Sequence, residues 1–160
     1  MIDLKINNLP LIISIVSGKG GVGKSILVAN LANTLANNGN KVLIWDGNYN
    51  FPNQHILFGV EPPYRAKDAY IGRMELNSVI YPINEKLSLL ADYSINDIEF
   101  EINIDAILKV FKQIITNYEF DFILIDTAAG LSELLLNFIN ISHLVGVVLD
   151  DNPSSLIDSY

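Results

Sequence analysis

The 160-residue sequence contains no cysteine. Disulfides, thiolate metal sites and cysteine-held iron–sulfur clusters are therefore excluded. Basic residues are scarce: ten Lys and Arg stand against 18 Asp and Glu, for a formal net charge of −8, and none lies beyond Lys112. Without a basic cluster to neutralise phosphates, direct nucleic-acid binding is not expected. An anionic membrane would repel the same surface. No apolar run approaches the roughly 18–20 residues of a membrane-spanning helix. The most apolar region, Leu131 to Leu149, is broken by Asn137, Asn140, Ser142 and His143 and reads as helix, turn and strand. The opening "MIDLKINNLP" lacks a basic stretch followed by an apolar one, so no secretory signal is read there, and a cytoplasmic location is the default. Neither an internal repeat nor a low-complexity tract is visible.

Half of the residues are apolar and 18% are charged, a globular composition. The length suits one domain over 1–160, with 1–10 as an N-terminal extension. Leu11–Ser17, "LIISIVS", is a short Ile-rich run of the kind found in strands buried on both faces. Val28, Leu31, Ala32 and Leu35 then repeat at helical spacing up to "NNGN", where Gly39 fits a helix stop. "KVLIW" (Lys41–Trp45) is a second strand running into Asp46, with Trp45 in the core. The Pro- and Gly-rich segment from Phe51 to Asn77 predicts loops with short helices around "NQHILFG" and "AKDAYIG". "KLSLLA" (Lys86–Ala91) predicts another strand.

Asn103 opens an amphipathic helix with Ile104, Ile107, Leu108, Phe111 and Ile115 on one face, read as core. "FDFILI" (Phe120–Ile125) is a third strong strand, ending at Asp126. Ser132–Ile139 reads as helix, Leu144–Leu149 as strand, and "NPSS" as the start of another helix. Strands alternating with helices predict an α/β fold: a mainly parallel sheet with helices on both faces. His55 and His143 have no neighbouring ligand residues and are read as surface or satisfied core positions.

"GKGGVGKS", Gly18–Ser25, satisfies the phosphate-loop pattern G-x-x-x-x-G-K-S/T, with a strand before it and a helix after it. Glycines let successive backbone N–H groups turn toward phosphate oxygens, and the helix N-terminus adds its positive end. Lys24 would reach the β- and γ-phosphates, and the Ser25 hydroxyl would ligate magnesium. The predicted nucleotide-binding stretch is Gly18, Lys19, Gly20, Gly21, Val22, Gly23, Lys24, Ser25 and Ile26. Asp126, at the end of an apolar strand, falls where parallel sheets bind ligands and suits a magnesium-holding carboxylate. Asp46 ends the second strand and is placed near the same cation. Gly130 supplies a bend after Asp126.

As a block, "KGGVGKS" resembles the deviant Walker A motif of the ParA/MinD family, which includes the flagellar-number regulators FlhG/FleN. "NGNKVLIWDGNYNFPNQHILFGV", "YEFDFILIDTAAGLSE" and "HLVGVVLDDNPSSLIDSY" are similar, in the same order, to its switch I, Walker B with switch II, and late strand–helix segments. The resemblance implies that Lys19 is the signature lysine, reaching phosphates bound in a second subunit. It implies ATP/ADP and Mg2+ as ligands, an ATP-dependent homodimer and a partner protein. Relatives continue into an Asn-bearing strand that helps recognise adenine and, in MinD types, a membrane-targeting helix. Neither follows here, so the chain reads as short at its C-terminus and membrane attachment is not expected from it alone.

Asn48 departs from the family, which reads Asp-x-Asp where this chain reads Asp46-Gly47-Asn48. An amide can hold a water but cannot accept its proton. Lys19, Lys24, Asp46 and Asn48 form the candidate catalytic set, with Ser25, Asp46 and Asp126 for the metal. The reading is an ATP-binding switch in division or flagellar positioning with weak hydrolysis. Asp150 or Asp151 is a conceivable substitute base, though helix capping is the simpler role for both. Two alternatives stay open: a non-hydrolysing pseudo-ATPase scaffold, and a phosphate-loop enzyme acting on a small substrate, such as a dethiobiotin-synthetase-like ligase. The iron–sulfur carriers of the wider clan are excluded by the missing cysteine, and a DNA-partitioning role is disfavoured by the missing basic surface.

Overall fold

The structure, a computed structural model, describes residues 9–49, 51–92 and 103–149. Asp150, Asp151 and the expected "NPSS" helix lie outside the described residues, as does most of the 1–10 extension. The described elements run β1 (Leu11–Val16), α1 (Lys24–Asn37), β2 (Val42–Gly47), α2 (Gln54–Leu57), α3 (Ala66–Tyr70), α4 (Leu76–Val79), β3 (Tyr81–Pro82), β4 (Leu87–Leu90), α5 (Ile104–Asn117), β5 (Phe122–Thr127), α6 (Glu133–Ile141) and β6 (Leu144–Val147).

The six strands form one sheet in the order β3-β4-β2-β5-β1-β6. All neighbours pair in parallel except β3, which pairs antiparallel with β4. β5 is inserted between β1 and β2, so the chain passes over it through α1. The loops leaving the C-terminal ends of β1, β2 and β5 therefore meet on one edge of the sheet, the usual ligand edge of such folds.

Alternation along each strand separates two cores, because successive side chains point to opposite faces. On one face Ile15, Val42, Ile44 and Leu124 pack under Val28, Ala32 and Ala36 of α1. On the other, Leu43, Trp45, Ile123 and Ile125 pack with Ile107, Val110 and Ile114 of α5 and with Phe138 of α6. Fully burying each such side chain stabilises by about 1.5–3 kcal/mol. The buried stripe of α5 is rotated from the expected one: Val110 and Ile114 face the sheet, while Leu108 lies to the side. Asn103 caps this helix, its side chain accepting from Asp105 and Ala106 N–H groups.

Trp45 is fully buried and its indole N–H donates to the Tyr70 hydroxyl at 3.1 Å. Phe138 meets Trp45 edge-on and stacks on Tyr49, with ring centroids 5.6 and 6.4 Å apart. This cluster explains Gly47. A Cβ built there would lie 2.8 Å from the Phe138 ring and 3.2 Å from the Asp126 carbonyl oxygen. Gly47→Ala is expected to cost about 1–3 kcal/mol through overpacking. Urea unfolding checks this, and an unchanged midpoint would refute it.

Three further features differ from the sequence expectation. α4 and β3 arise within a segment that carries no periodic signal. β2 and β5 extend past their apolar runs to include Asp46 and Asp126, which pair in register. β6 ends at Val147 rather than at Leu149, and it is half exposed because it lies at the sheet edge and pairs only with β1 among the described residues.

Candidate functional site

The stretch between β1 and α1 turns sharply. Gly21 and Gly23 have φ of 81° and 95°. A Cβ at either would meet no atom within 4 Å, so glycine is needed there for conformation, not for space. The turn aims the first residues of α1 at a cavity of about 500 Å3. Its wall includes Gly20, Gly23, Lys24, Ser25 and Asn48, with Ala128 and Ala129 from the loop after β5 opposite them. Gly21 and Ile26 also border it, whereas Gly18, Lys19 and Val22 do not.

Lys24 is 7% exposed, and its Nζ donates to the Ser17 hydroxyl at 2.8 Å. Ser17 in turn donates to the Lys19 carbonyl at 2.6 Å. Burial lowers the Lys24 pKa, opposed by the nearby negative charge of Asp126. A buried ammonium that donates to the Ser17 hydroxyl, a neutral acceptor, is poised for a stronger anionic partner. Lys19 itself is exposed. The Gly130 N–H donates to the Ser17 carbonyl at 3.1 Å, tying the loop after β5 to the phosphate loop.

Beneath the cavity lie Asp46 and Asp126, both fully buried. Burial raises the Asp126 pKa, against hydrogen bonds from Ser25 and Gln54 and the charge of Lys24. Asp46 is pushed up to about 7, first by burial and further by the Asp126 charge. Its Oδ2 accepts the backbone N–H groups of Asn53 and Gln54, each at 2.9 Å, and so holds the start of α2. The Gln54 side chain donates from Nε2 to Asp126 Oδ2 at 2.7 Å and to the Ser25 carbonyl at 3.1 Å. Asp126 Oδ1, Gln54 Oε1 and Asn53 Oδ1 are buried with no hydrogen-bond partner.

Asp46 titrates near 7 folded and near 3.8 unfolded, so its stabilising contribution is complete below pH 4 and is lost as pH rises through 7. His55, whose pKa is lowered by burial, acts in the opposite sense. In EDTA, the parent is expected to lose melting temperature relative to Asp46→Asn between pH 5 and pH 8. Parallel curves for the two proteins would refute this.

Among the described residues no three His, Cys, Asp or Glu side chains are grouped to cage a metal. The sequence reading missed Gln54, Asn53 and the Ala128–Ala129 wall. A buried glutamine at the start of a four-residue helix leaves no periodic trace, and only its nearness to Asp46 along the chain hinted at it. Of the histidines, His143 accepts the Ile12 N–H at 3.1 Å.

A glycine-turned loop entering a helix, at the C-terminal edge of a mainly parallel sheet and backed by a buried carboxylate, defines a P-loop nucleotide-binding fold. The chain belongs to the family of CobQ/CobB/MinD/ParA nucleotide binding domains, whose pattern it matches over residues 13–148. It is 33% identical over 149 residues to the flagellum site-determining protein YlxH of Helicobacter pylori, covering 92% of this chain and 51% of that protein. Its fold superposes on MinD of Aquifex aeolicus in the MinC:MinD cell division complex with a TM-score of 0.81 at 29% identity, covering 93% of this chain and 60% of that one. On the MinD protein of Pyrococcus horikoshii complexed with Mg-ADP the TM-score is 0.77 at 29% identity, covering 94% and 62%. The chain spans about half the length of the curated relatives it matches.

Proposed function

We propose that this chain is the nucleotide-binding part of a MinD/FlhG-type positioning switch that acts in the cytoplasm. It binds ATP and ADP with Mg2+ and hydrolyses ATP weakly. The carrying observation is the buried Lys24 at the mouth of a glycine-turned loop, near a buried carboxylate, Asp126, that Gln54 ties to the Ser25 carbonyl of the same loop.

The residues fit a nucleotide and its cation. Unpartnered buried oxygens on Asp126, Gln54 and Asn53 gather beside and beneath a cavity bordered by the phosphate-loop glycines. Lys24 and the loop N–H groups would hold phosphate oxygens, and Ser25 and Asp126 would hold the cation. Magnesium supplies charge neutralisation on the phosphates when bound. Asn48 borders the cavity and would orient a water there without accepting its proton. The exposed Lys19 would reach phosphates bound in a second copy of the chain, giving an ATP-dependent homodimer. The output is a surface presented to a partner protein, built from α2 and the loop after β5. Two observations on relatives support this: the Mg-ADP complex of one MinD and the MinC complex of another. No described helix is long and apolar enough to cross a membrane.

Calorimetric titration with Mg·ADP, steady-state ATPase and sizing chromatography with and without ATP test this proposal. Saturable nucleotide binding, a shift to dimer size and low turnover are expected. Absence of binding at millimolar nucleotide would overturn it. Asn48 favours one second reading, a pseudo-ATPase scaffold, which predicts binding and dimerisation with no turnover at all.

A further inference from the structure

Resting on the nucleotide reading above, we propose that Gln54 is a positioning residue that reads the cation beside the phosphate loop and passes its occupancy to α2. Gln54 joins the three parts of the site. Its backbone N–H is held by Asp46 at 2.9 Å, and its amide nitrogen by Asp126 at 2.7 Å and by the Ser25 carbonyl at 3.1 Å. It is fully buried. It is also the first residue of α2, whose Ile56 and Leu57 stand exposed on the surface.

The orientation of the amide follows from its partners. Nε2 faces two oxygens, and a reversed amide would set Oε1 against both of them. Oε1 is left buried and unpartnered, as is Asp126 Oδ1. A divalent cation held by Asp126 and Ser25 reverses that logic. The amide hydrogens then face positive charge, and an oxygen is the favoured neighbour, either on the cation or on one of its waters. Turning Oε1 inward breaks the bonds to Asp126 and Ser25 and gives the orphaned oxygen a partner. Because Gln54 is both the hinge of this change and the start of α2, the helix is biased along with it.

Hydrogen exchange of the α2 amides, residues 53–58, reports the coupling without relying on turnover. Parent, Gln54→Met and Gln54→Glu are compared in ADP with EDTA and in ADP with MgCl2, and cation affinity is read separately by Mn2+ titration in ADP. In the parent, MgCl2 is expected to change α2 exchange by about threefold or more. Gln54→Met keeps the volume but neither hydrogen-bonding end; it should still bind Mn2+ while α2 no longer responds. Gln54→Glu keeps an inward oxygen, so α2 should respond and Mn2+ should bind about tenfold more tightly.

An α2 response in Gln54→Met equal to the parent's, or none in the parent, overturns the inference. Should Gln54→Met fail to unfold cooperatively, Gln54→Glu decides alone, and unchanged Mn2+ affinity there overturns it. A parent that binds no ADP overturns the nucleotide reading and this inference with it. A parent that binds ADP and Mn2+ with a silent α2 overturns this inference only.

Discussion

Replacing Lys24 with methionine is expected to weaken Mg·ADP binding by about 100-fold, on the order of 3 kcal/mol, the scale of one or two charge-assisted hydrogen bonds. The fold should not suffer. Lys24 is buried, its pKa is lowered by that burial, and its Nζ donates to the Ser17 hydroxyl. Methionine keeps the length of the stem and removes a charge whose desolvation works against folding. Calorimetric affinity and urea unfolding should thus separate: a large loss in the first, little or no loss in the second. Near-parental ADP affinity in Lys24→Met would refute the assignment of Lys24 to phosphate. A large loss of stability would show that its role is structural.

Asn48→Asp carries the second large effect. Asn48 borders the same cavity as Lys24 and Ser25, and its N–H leans on Asp46 Oδ1 at 3.4 Å. A carboxylate there would accept a proton from water that an amide cannot take. General-base catalysis contributes typically 10²–10⁴-fold, so steady-state ATP turnover should rise by about 100-fold or more. Mg·ADP affinity should change little, because the phosphate-binding groups are untouched. The new carboxylate also stands close to Asp46, already pushed up to about 7, so the gain should grow with pH over that range. Turnover equal to the parent's would refute the view that Asn48 limits hydrolysis.

The phosphate loop was readable because it is local. Eight consecutive residues, a strand before them and a helix after them contain all of its geometry, and the structure places Gly20, Gly21, Gly23, Lys24, Ser25 and Ile26 around one cavity. The strands were readable for a similar reason: apolar runs such as "LIISIV" and "FILI" are buried on both faces. Boundaries were less so. β2 and β5 carry on through Asp46 and Asp126 because pairing with each other, not apolarity, sets their ends. The buried stripe of α5 was misplaced because Leu108 and Val110 are equally apolar, and only the position of the sheet chooses between them.

The sequence by itself determined the α/β class, the phosphate loop, the two acids at strand ends and the amide at position 48. Each is written in one short segment with its own periodicity or turn chemistry. Tertiary structure alone decided how those parts meet. Inserting β5 between β1 and β2 brings Asp126 into register with Asp46, and their shared burial, not their identity, raises both pKa values. It also brings Gln54 across 72 residues of chain onto Asp126. Contacts between distant segments depend on which strands pair and which faces close. No window of neighbouring residues carries that information.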